Sequence, residues 1–324
     1  MTTTPLQLPE LPYDHWEDTK ATLHLVSQII GKVKLAHHPK QPHWWHATLR
    51  VTPRGISTQT IPTSDGRSFE IELNVPHLQL RLSGSDGHEE AIELKSQTVA
   101  SIFTQTMAAL EQIGHPTQIL ARPYDNPHSK IPFAEDESHN SWDADAIRAW
   151  WKTLLFIDEA FKTFAGRSFA KTSPAHLFWH SFDFAVTRFS GEPAAAMGQG
   201  DRRSDVEAYS HEVVSFGWWP GDPQVRYPAF YGYVAPEPKG LAESPLKPEK
   251  AWWQTLPSSN MAMLKYDDLR EMNDPREVLL QFMTSAHDAG CRRAGWEKLS
   301  EQGTESFWDE LDIRFPLTRK KESR

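Results

Sequence analysis

The side chains that could do chemistry concentrate in two apolar segments of the second half of the sequence. Residues 176–189 are largely apolar at both odd and even positions, which predicts one long strand buried on both faces. Residues 211–216 predict a second strand that begins with two polar residues. A charge buried alone among apolar groups is very costly, so the charged side chains of these strands should pair. We predict one polar cavity in a tryptophan-rich shell, formed by His176, Asp183, Arg188, His211 and Glu212.

Four kinds of site fit these five residues. A metal site would use imidazole and carboxylate ligands, which suit zinc, iron or manganese. Its ligands would be His176, Asp183, His211 and Glu212. The adjacency of His211 and Glu212 weakens this reading, because neighbouring strand residues point to opposite faces. A metal-free catalytic site would use His176 or His211 as general base, oriented by a carboxylate, while Arg188 holds an anionic group. The other two are non-catalytic ligand binding and a buried network that only fixes strand register.

A second set of residues could bind a ligand. His24, Gln28 and Lys32 recur every four residues on one side of the first predicted helix. This spacing is typical of a solvated polar face, but the three side chains would line a pocket if the helix packed across its mouth. Trp219 and Tyr231 stand beside turns, where aromatic rings stack on a sugar or another ring, or pack under a Pro-rich loop. The ligand-binding candidates are His24, Gln28, Trp45, His46, Trp179, Trp219 and Tyr231.

Helices and antiparallel strands must position these residues. Asp14 and Glu17 read as a capping box at the start of the first helix, whose apolar stripe runs to Val33. Strands of alternating or apolar pattern follow, as in residues 69–75. The predicted strands span 44–52, 55–61, 69–75, 77–83, 91–94, 176–189, 211–216, 229–234 and 261–265. Further helices are predicted from about 96 to 113, over the stripe from Ile147 to Phe164, and from 274 to about 289.

The two halves can be superimposed with a shift of 134 residues and no gap. The shift places Trp16 on Trp150, and the pair Trp45-His46 on Trp179-His180. We therefore predict an α+β fold of two duplicated units, each a helix, antiparallel strands and a helix, with the helices packed on one face of each sheet. The two tryptophan–histidine pairs should occupy matching strand positions. The sheets could join edge to edge or face each other.

The predicted organisation follows from this duplication. A first α+β repeat spans 1–122, a linker 123–142, a second repeat 143–297, and a C-terminal extension 298–324. The second repeat has long loops over 191–205 and 236–260, and loops of this length are often lids or binding loops. We therefore expect the function to lie in the second half.

Composition excludes several classes of protein. The formal net charge of −9 argues against nucleic acid as a partner, because such binding depends on basic side chains. A single cysteine, Cys291, excludes an internal disulfide, and no window is apolar enough to span a membrane. We expect a cytoplasmic protein that binds a small molecule. The sequence indicates neither a cofactor nor an oligomeric state, nor whether the protein is an enzyme.

Seven short motifs are spread along the chain: DTKATLH (18–24), HWWH (43–46), SPAHLFW (173–179), SFD (181–183), VTRFSG (186–191), YSHEV (209–213) and WPG (219–221). They resemble those of an uncharacterised bacterial family described only as a domain of unknown function. The resemblance covers about residues 8 to 297 and implies a bacterial origin, one full-length domain and no assigned activity. The combined prediction is a protein with a Trp-lined polar pocket in its second half. That pocket would bind a small polar or anionic molecule, with acid–base catalysis by histidine and carboxylate groups as one possibility.

Overall fold

The first half of the chain forms a long helix, a run of antiparallel strands and a second helix. The structure is a computed structural model and describes residues 7–194 and 203–296. A short 3-10 helix, Pro42–Ala47, precedes the first strand. The elements are α1 (Tyr13–His37), β1 (Thr48–Thr52), β2 (Gly55–Ser57), β3 (Ile61–Pro62), β4 (Ser68–Asn74), β5 (Gln79–Gly84), β6 (Glu89–Glu93) and α2 (Val99–Gln112).

The second half repeats the order of a long helix, antiparallel strands and a final helix, with additional short elements. The elements are α3 (Ala144–Gly166), β7 (His176–Phe178), β8 (Asp183–Pro193), α4 (Arg203–Ala208), β9 (His211–Trp219), β10 (Ala229–Ala235), β11 (Trp252–Thr255), β12 (Asn260–Lys265), α5 (Tyr266–Arg270) and α6 (Pro275–Ala294). Between the halves, residues 113–143 contain only one turn of 3-10 helix, Phe133–Glu135.

The strands of both halves join edge to edge in a single twelve-stranded antiparallel sheet. Its order is β11-β12-β10-β9-β8-β7-β1-β2-β4-β5-β6, with β3 paired to β4. The junction is the pairing of β1 with β7, in which Thr48 lies opposite Phe178 and Leu49 opposite Leu177. The predicted α+β class is therefore confirmed, and the strands of the two halves join edge to edge and do not face each other.

The long helices pack side by side against the apolar side of the sheet. α1 contacts α2 and α3, and α3 contacts α6. Phe161 of α3 stacks on Phe184 of β8, with ring centroids 5.7 Å apart, and Phe164 meets Phe216 of β9 edge-on. We call this side the helix-covered face and the other side the opposite face. Because side chains alternate along a strand, each strand residue can be assigned to one of the two.

The predicted capping box at the start of α1 is wrong. α1 begins at Tyr13 after Pro12 and has no side-chain cap, so Asp14 and Glu17 do not form a capping box. Both carboxylates instead form ion pairs with Arg226, which lies in the turn after β9.

The predicted long strand over 176–189 is a hairpin of β7 and β8. Residues 179–182 form the turn, which closes with Phe182 N–H donating to the Phe178 carbonyl over 2.8 Å. Phe182 has a left-handed backbone with φ of 61°, which costs a non-glycine residue about 1 kcal/mol or more. Its ring stacks on Trp150 of α3, with centroids 5.3 Å apart, and on His24 of α1 at 4.9 Å. These contacts offset the backbone cost.

The tryptophan–histidine pairs do not occupy strand positions. Trp45 and His46 lie in the 3-10 helix before β1, and Trp179 and His180 in the turn before β8. The shift of 134 residues does place β1 on residues 182–186, where β8 begins. The duplication therefore stays a prediction that agrees with the element order, with β7 as an additional strand between the halves.

Candidate functional site

The five residues predicted to share one cavity lie on both faces of the sheet. Arg188 is on the helix-covered face, where its guanidinium lies 3.6 Å from the centre of the Phe164 ring and donates to the Phe164 carbonyl. Asp183, five residues earlier on the same strand, is on the opposite face. The odd spacing along β8 therefore separates two charged residues that were predicted to share one cavity.

The three remaining members of the predicted cavity are also apart. His176 is buried and pairs with Ala185, and burial beside the positive charges of Arg50 and Lys34 holds its pKa well below the usual value. His211 is the first residue of β9, and its ring centroid lies 5.7 Å from that of His43. Glu212 accepts a hydrogen bond from Ser190. Within the described ranges, no three His, Cys, Asp or Glu side chains come close enough to hold a metal ion.

One part of the prediction does come together, on the opposite face. Tyr231 of β10 donates a hydrogen bond to the carboxylate of Asp183, which also accepts one from Ser181. The centroid of the Trp219 ring lies 6.3 Å from that of the Tyr231 ring. The Tyr231 ring packs directly on the backbone of Gly217 in β9, where any side chain would collide with it. Burial and the nearby Asp183 charge raise the pKa of Tyr231, which keeps its hydroxyl a donor. We call these four residues, Asp183, Tyr231, Trp219 and Ser181, the Asp183 cluster.

Trp45 and His46 are not part of that cluster. Trp45 packs against Phe189, with ring centroids 6.1 Å apart, and lies 5.6 Å below the ammonium of Lys171. His46 is buried, stacks on Trp44 and accepts a hydrogen bond from the Gln41 N–H. Both residues pack within and around the 3-10 helix before β1, away from the Asp183 cluster.

The polar side of α1 is buried, so the expectation of a solvated face is wrong. Every residue from 19 to 34 is at most 9 % exposed. These residues include four polar or charged ones spaced four apart, Lys20, His24, Gln28 and Lys32, which we call the α1 polar stripe. Residues 122–142, which we call the cover segment, and the turn 179–182 lie over this side of the helix.

Gln28 and His24 hold the two covering pieces in place. The Gln28 side chain accepts a hydrogen bond from the Tyr124 N–H at 2.9 Å and donates one to the Tyr124 carbonyl at 3.0 Å. The His180 carbonyl accepts from His24 Nε2 at 3.0 Å and from Gln28 Nε2 at 3.3 Å. A carbonyl only accepts, so Nε2 of His24 carries the proton and Nδ1 is an acceptor. That Nδ1 atom is buried and has no hydrogen-bond partner among the described residues.

Trp179 closes the other end of the stripe. An added Cβ at Gly31 would lie 2.2 Å from the Trp179 ring, so the indole packs directly on the α1 backbone. The Lys32 ammonium lies 5.7 Å from the same ring, and burial lowers its pKa. The sequence-predicted residues His24, Gln28 and Trp179 are therefore brought together.

The least expected member of the stripe is Lys20, which is 2 % exposed. Its Nζ atom lies 3.2 Å from His128 Nε2 in the cover segment. Two rings flank the ammonium, that of Tyr13 with its centroid at 5.5 Å and that of Phe182 at 5.9 Å. An ammonium has only donors, so His128 Nε2 must accept. We call Lys20, His24, His128, Tyr13 and Phe182 the Lys20 centre.

Burial dominates the electrostatics of the Lys20 centre. It lowers the pKa of Lys20 to about 8, although Asp222 and Glu17 oppose the change from a distance. Burial and the Lys20 charge lower the pKa of His128 to about 4, and the same causes hold that of His24 well below the usual value. At neutral pH the centre therefore holds two uncharged imidazoles and one ammonium.

The carboxylates whose charges act on Lys20, those of Glu17 and Asp222, form hydrogen bonds with other groups. Glu17 accepts from Arg226 and from Tyr13, and Asp222 accepts from the backbone N–H groups of Gln224 and Val225. In residues 7–194 and 203–296, no carboxylate lies within 4.0 Å of the Lys20 ammonium. Buried charges in proteins are ordinarily paired, so this one is an exception.

The cover segment is organised by side chains because it has almost no regular structure. The buried Asp136 carboxylate accepts hydrogen bonds from Ser129, Ser138 and His139. Burial alone would raise its pKa, but the bonds from His139 and Ser138 outweigh burial and lower it. Thr19 and Thr22 of α1 bind the end of the segment at Ser141.

Sequence reasoning missed Lys20 and His128. Lys20 carries the same signal as its neighbours, since it stands four residues before His24 in the series that includes Gln28 and Lys32. His128 has no signal of this kind, because it lies in a segment without periodicity.

Comparison with known proteins gives a family but no activity. No helix in the described part of the chain has the length and apolar character needed to cross a membrane. Searches of curated proteins and of solved structures each found no match. The model of the family of unknown function DUF5996 matches residues 8–302, most of the 324-residue chain. The protein therefore belongs to the family of unknown function DUF5996.

Proposed function

We propose that this protein binds a small anionic molecule at the Lys20 centre. The observation that carries the proposal is the buried Lys20 ammonium without a carboxylate partner. Removing such a charge from water costs several kcal/mol, and only a counter-charge or hydrogen bonds recover the loss. His128 provides one acceptor, which leaves most of the cost in place.

An anion fits the chemistry of the centre better than a cation or a metal ion. The neutral imidazoles of His24 and His128 add no competing charge, and a carboxylate or phosphate would complete a charge-assisted pair with Lys20. The unpartnered His24 Nδ1 can accept a hydrogen bond, so the preferred ligand carries a hydroxyl or N–H donor beside its anionic group.

The cover segment supplies a route to the buried site. It is longer than an ordinary connection, and loops of that length commonly act as lids. It meets α1 through a small number of polar contacts, those of Tyr124 with Gln28, His128 with Lys20, and Ser141 with Thr19 and Thr22. The segment is also bonded to α2, where Ala100 N–H donates to the Asp136 carbonyl, and Phe133 packs in the core. The part that would open is therefore the stretch around Tyr124 and His128, which lies before Phe133.

Titration calorimetry with sodium phosphate and with sodium lactate tests the proposal. We expect saturable binding that Lys20→Met weakens by about tenfold or more, because methionine keeps the apolar stem and removes the charge. Lys162→Met on α3 is the matched control, since Lys162 is exposed and paired with Asp158. No saturable heat with either salt, or equal affinity in Lys20→Met, would contradict the proposal.

A second candidate function rests on the Asp183 cluster. A carboxylate, two hydroxyls and the half-buried Trp219 ring form a surface typical of sites for hydroxylated rings. Binding of methyl glucoside would quench tryptophan fluorescence, and Asp183→Asn would abolish the change. The cytoplasmic location and bacterial origin stay predictions from the sequence.

A further inference from the structure

Lys20 differs from the other buried lysines of α1 in what its nitrogen touches. Lys34 donates to the Thr48 carbonyl over 2.6 Å, a bond that holds its ammonium in place. Lys32 lies over the Trp179 ring and keeps the greatest exposure of the three, 9 %. The Lys20 nitrogen instead faces an uncharged imidazole nitrogen that accepts its hydrogen bond.

This environment makes the Lys20 amine available as a nucleophile. With burial lowering the pKa to about 8, roughly a tenth of Lys20 is unprotonated at pH 7, against less than about a thousandth of an ordinary lysine. Lysines desolvated in apolar surroundings are the ones that proteins use for bond formation to carbonyl carbons. The Tyr13 and Phe182 rings provide such surroundings here.

We propose that Lys20 forms an imine with a small carbonyl compound that carries a carboxylate next to its carbonyl, that is, a 2-oxo acid. This inference rests on the proposed function and names the chemistry of the ligand. The protonated imine keeps the positive charge of Lys20, and the adjacent carboxylate supplies the counter-charge that the centre lacks.

The bonds balance without an oxidant or a reductant. The Lys20 Nζ lone pair bonds to the carbonyl carbon while the carbon–oxygen π pair moves to oxygen, which gains the proton that Nζ loses. The proton that the ammonium released when it became the free amine then returns to the carbinolamine hydroxyl, which leaves as water while the nitrogen lone pair forms the carbon–nitrogen double bond. The imine nitrogen keeps one hydrogen and therefore the positive charge. His128 Nε2, 3.2 Å from Nζ, is placed to carry the nitrogen proton to the oxygen, and the unpartnered His24 Nδ1 accepts the hydrogen bond of the carbinolamine hydroxyl.

Reductive trapping on the full-length protein tests this inference. The protein is incubated at pH 7.5 with pyruvate and sodium cyanoborohydride, and peptide mass mapping locates the secondary amine that reduction leaves. We expect Lys20 to be labelled at least about tenfold faster than any other lysine, and faster with pyruvate than with the uncharged propanal. Labelling of Lys20 no faster than exposed Lys162, or none at all, would overturn the inference.

Two further measurements separate this inference from the proposed function. Lys20→Arg keeps the charge and loses the nucleophile, so it should bind pyruvate within a fewfold of the unmodified protein and give no adduct at position 20. Lys162→Arg should leave the labelling of Lys20 unchanged, and circular dichroism shows that both variants fold. Calorimetric binding of pyruvate without any Lys20 adduct leaves the anion site standing and refutes the imine, whereas absence of binding and of adduct refutes both.

Discussion

The two long helices α1 and α3 occupy corresponding places in the halves of the chain, yet they are buried in different ways. α3 follows the pattern of an amphipathic helix, with Trp150, Leu154 and Phe161 inward and exposed residues between them. α1 is buried all round from residue 19 to residue 34, including its polar side. The difference arises because residues 122–142 and the turn 179–182 cover α1.

Corresponding positions of the two helices show what the cover changes. The shift of 134 residues places His24 on Asp158 and Gln28 on Lys162. Asp158 and Lys162 form an ion pair in which the Lys162 side chain is exposed and the Asp158 side chain is largely buried. His24 and Gln28 instead bind backbone groups of Tyr124 and His180. Polar residues of the same spacing therefore form a partly exposed ion pair on one helix and hold covering segments in place on the other.

The largest expected difference between the helices concerns Gln28. Gln28→Ala should lower the free energy of unfolding by about 3 kcal/mol, because it removes three hydrogen bonds to backbone groups of Tyr124 and His180, each worth about 1 kcal/mol. Lys162→Ala should change it by less than about 0.5 kcal/mol. Urea denaturation of both variants measures the difference, and equal values would remove the distinction between the helices.

A smaller effect is expected in the pH dependence of stability. The pKa of Lys20 is about 8 in the folded protein and 10.5 in the unfolded chain, so between these values the unfolded state binds more protons. Stability contributed by this group therefore rises with pH from about 8, by at most about 1.4 kcal/mol per pH unit. Lys20→Met should flatten the rise between pH 8 and 10, and Lys162→Met should not.

Denaturation of the three proteins at pH 7, 8, 9 and 10 provides the measurement. Lys34 has a similarly lowered pKa and contributes a rise of the same sign, so the relevant quantity is the difference in slope between the Lys20 variant and the unmodified protein. An unchanged slope in Lys20→Met would show that its ammonium is not buried.

The smallest effect is expected at the glycines of the two helices. Gly31→Ala should lower the free energy of unfolding by about 1 kcal/mol. The added methyl group would displace the Trp179 ring, which destabilises the fold by about 2 kcal/mol. The higher helix propensity of alanine stabilises it by about 1 kcal/mol. Gly166→Ala meets no neighbouring atom and should be neutral or slightly stabilising. Thermal unfolding of both variants tests this prediction. A higher stability of Gly31→Ala would show that the Trp179 ring does not pack on Gly31.

The periodicity of the sequence predicted most of the regular structure correctly. The stripes of α1 and α3, the alternation in β4 and the strands β9, β10 and β12 lie where expected. The strand predicted over 176–189 was wrong because its turn consists of Trp179, His180, Ser181 and Phe182, which give no glycine or proline signal. Asp183 and Arg188 are five residues apart on β8 and therefore lie on opposite faces of the sheet, so the predicted cavity could not assemble.

The sequence by itself determined the α+β class, the order of the elements and the spacing of Lys20, His24, Gln28 and Lys32 on one side of a helix. These follow from hydrophobic periodicity, which is a local property of the chain. Only the tertiary structure decided that this side is buried. The segment that covers it is held by hydrogen bonds among Asn126, Ser129, Asp136 and His139, and by the backbone contacts of Gln28. The contacts within the segment follow no periodic pattern, and those of Gln28 with Tyr124 join residues 96 positions apart. The burial of Lys20, and the pKa change that follows from it, therefore became visible only in the folded chain.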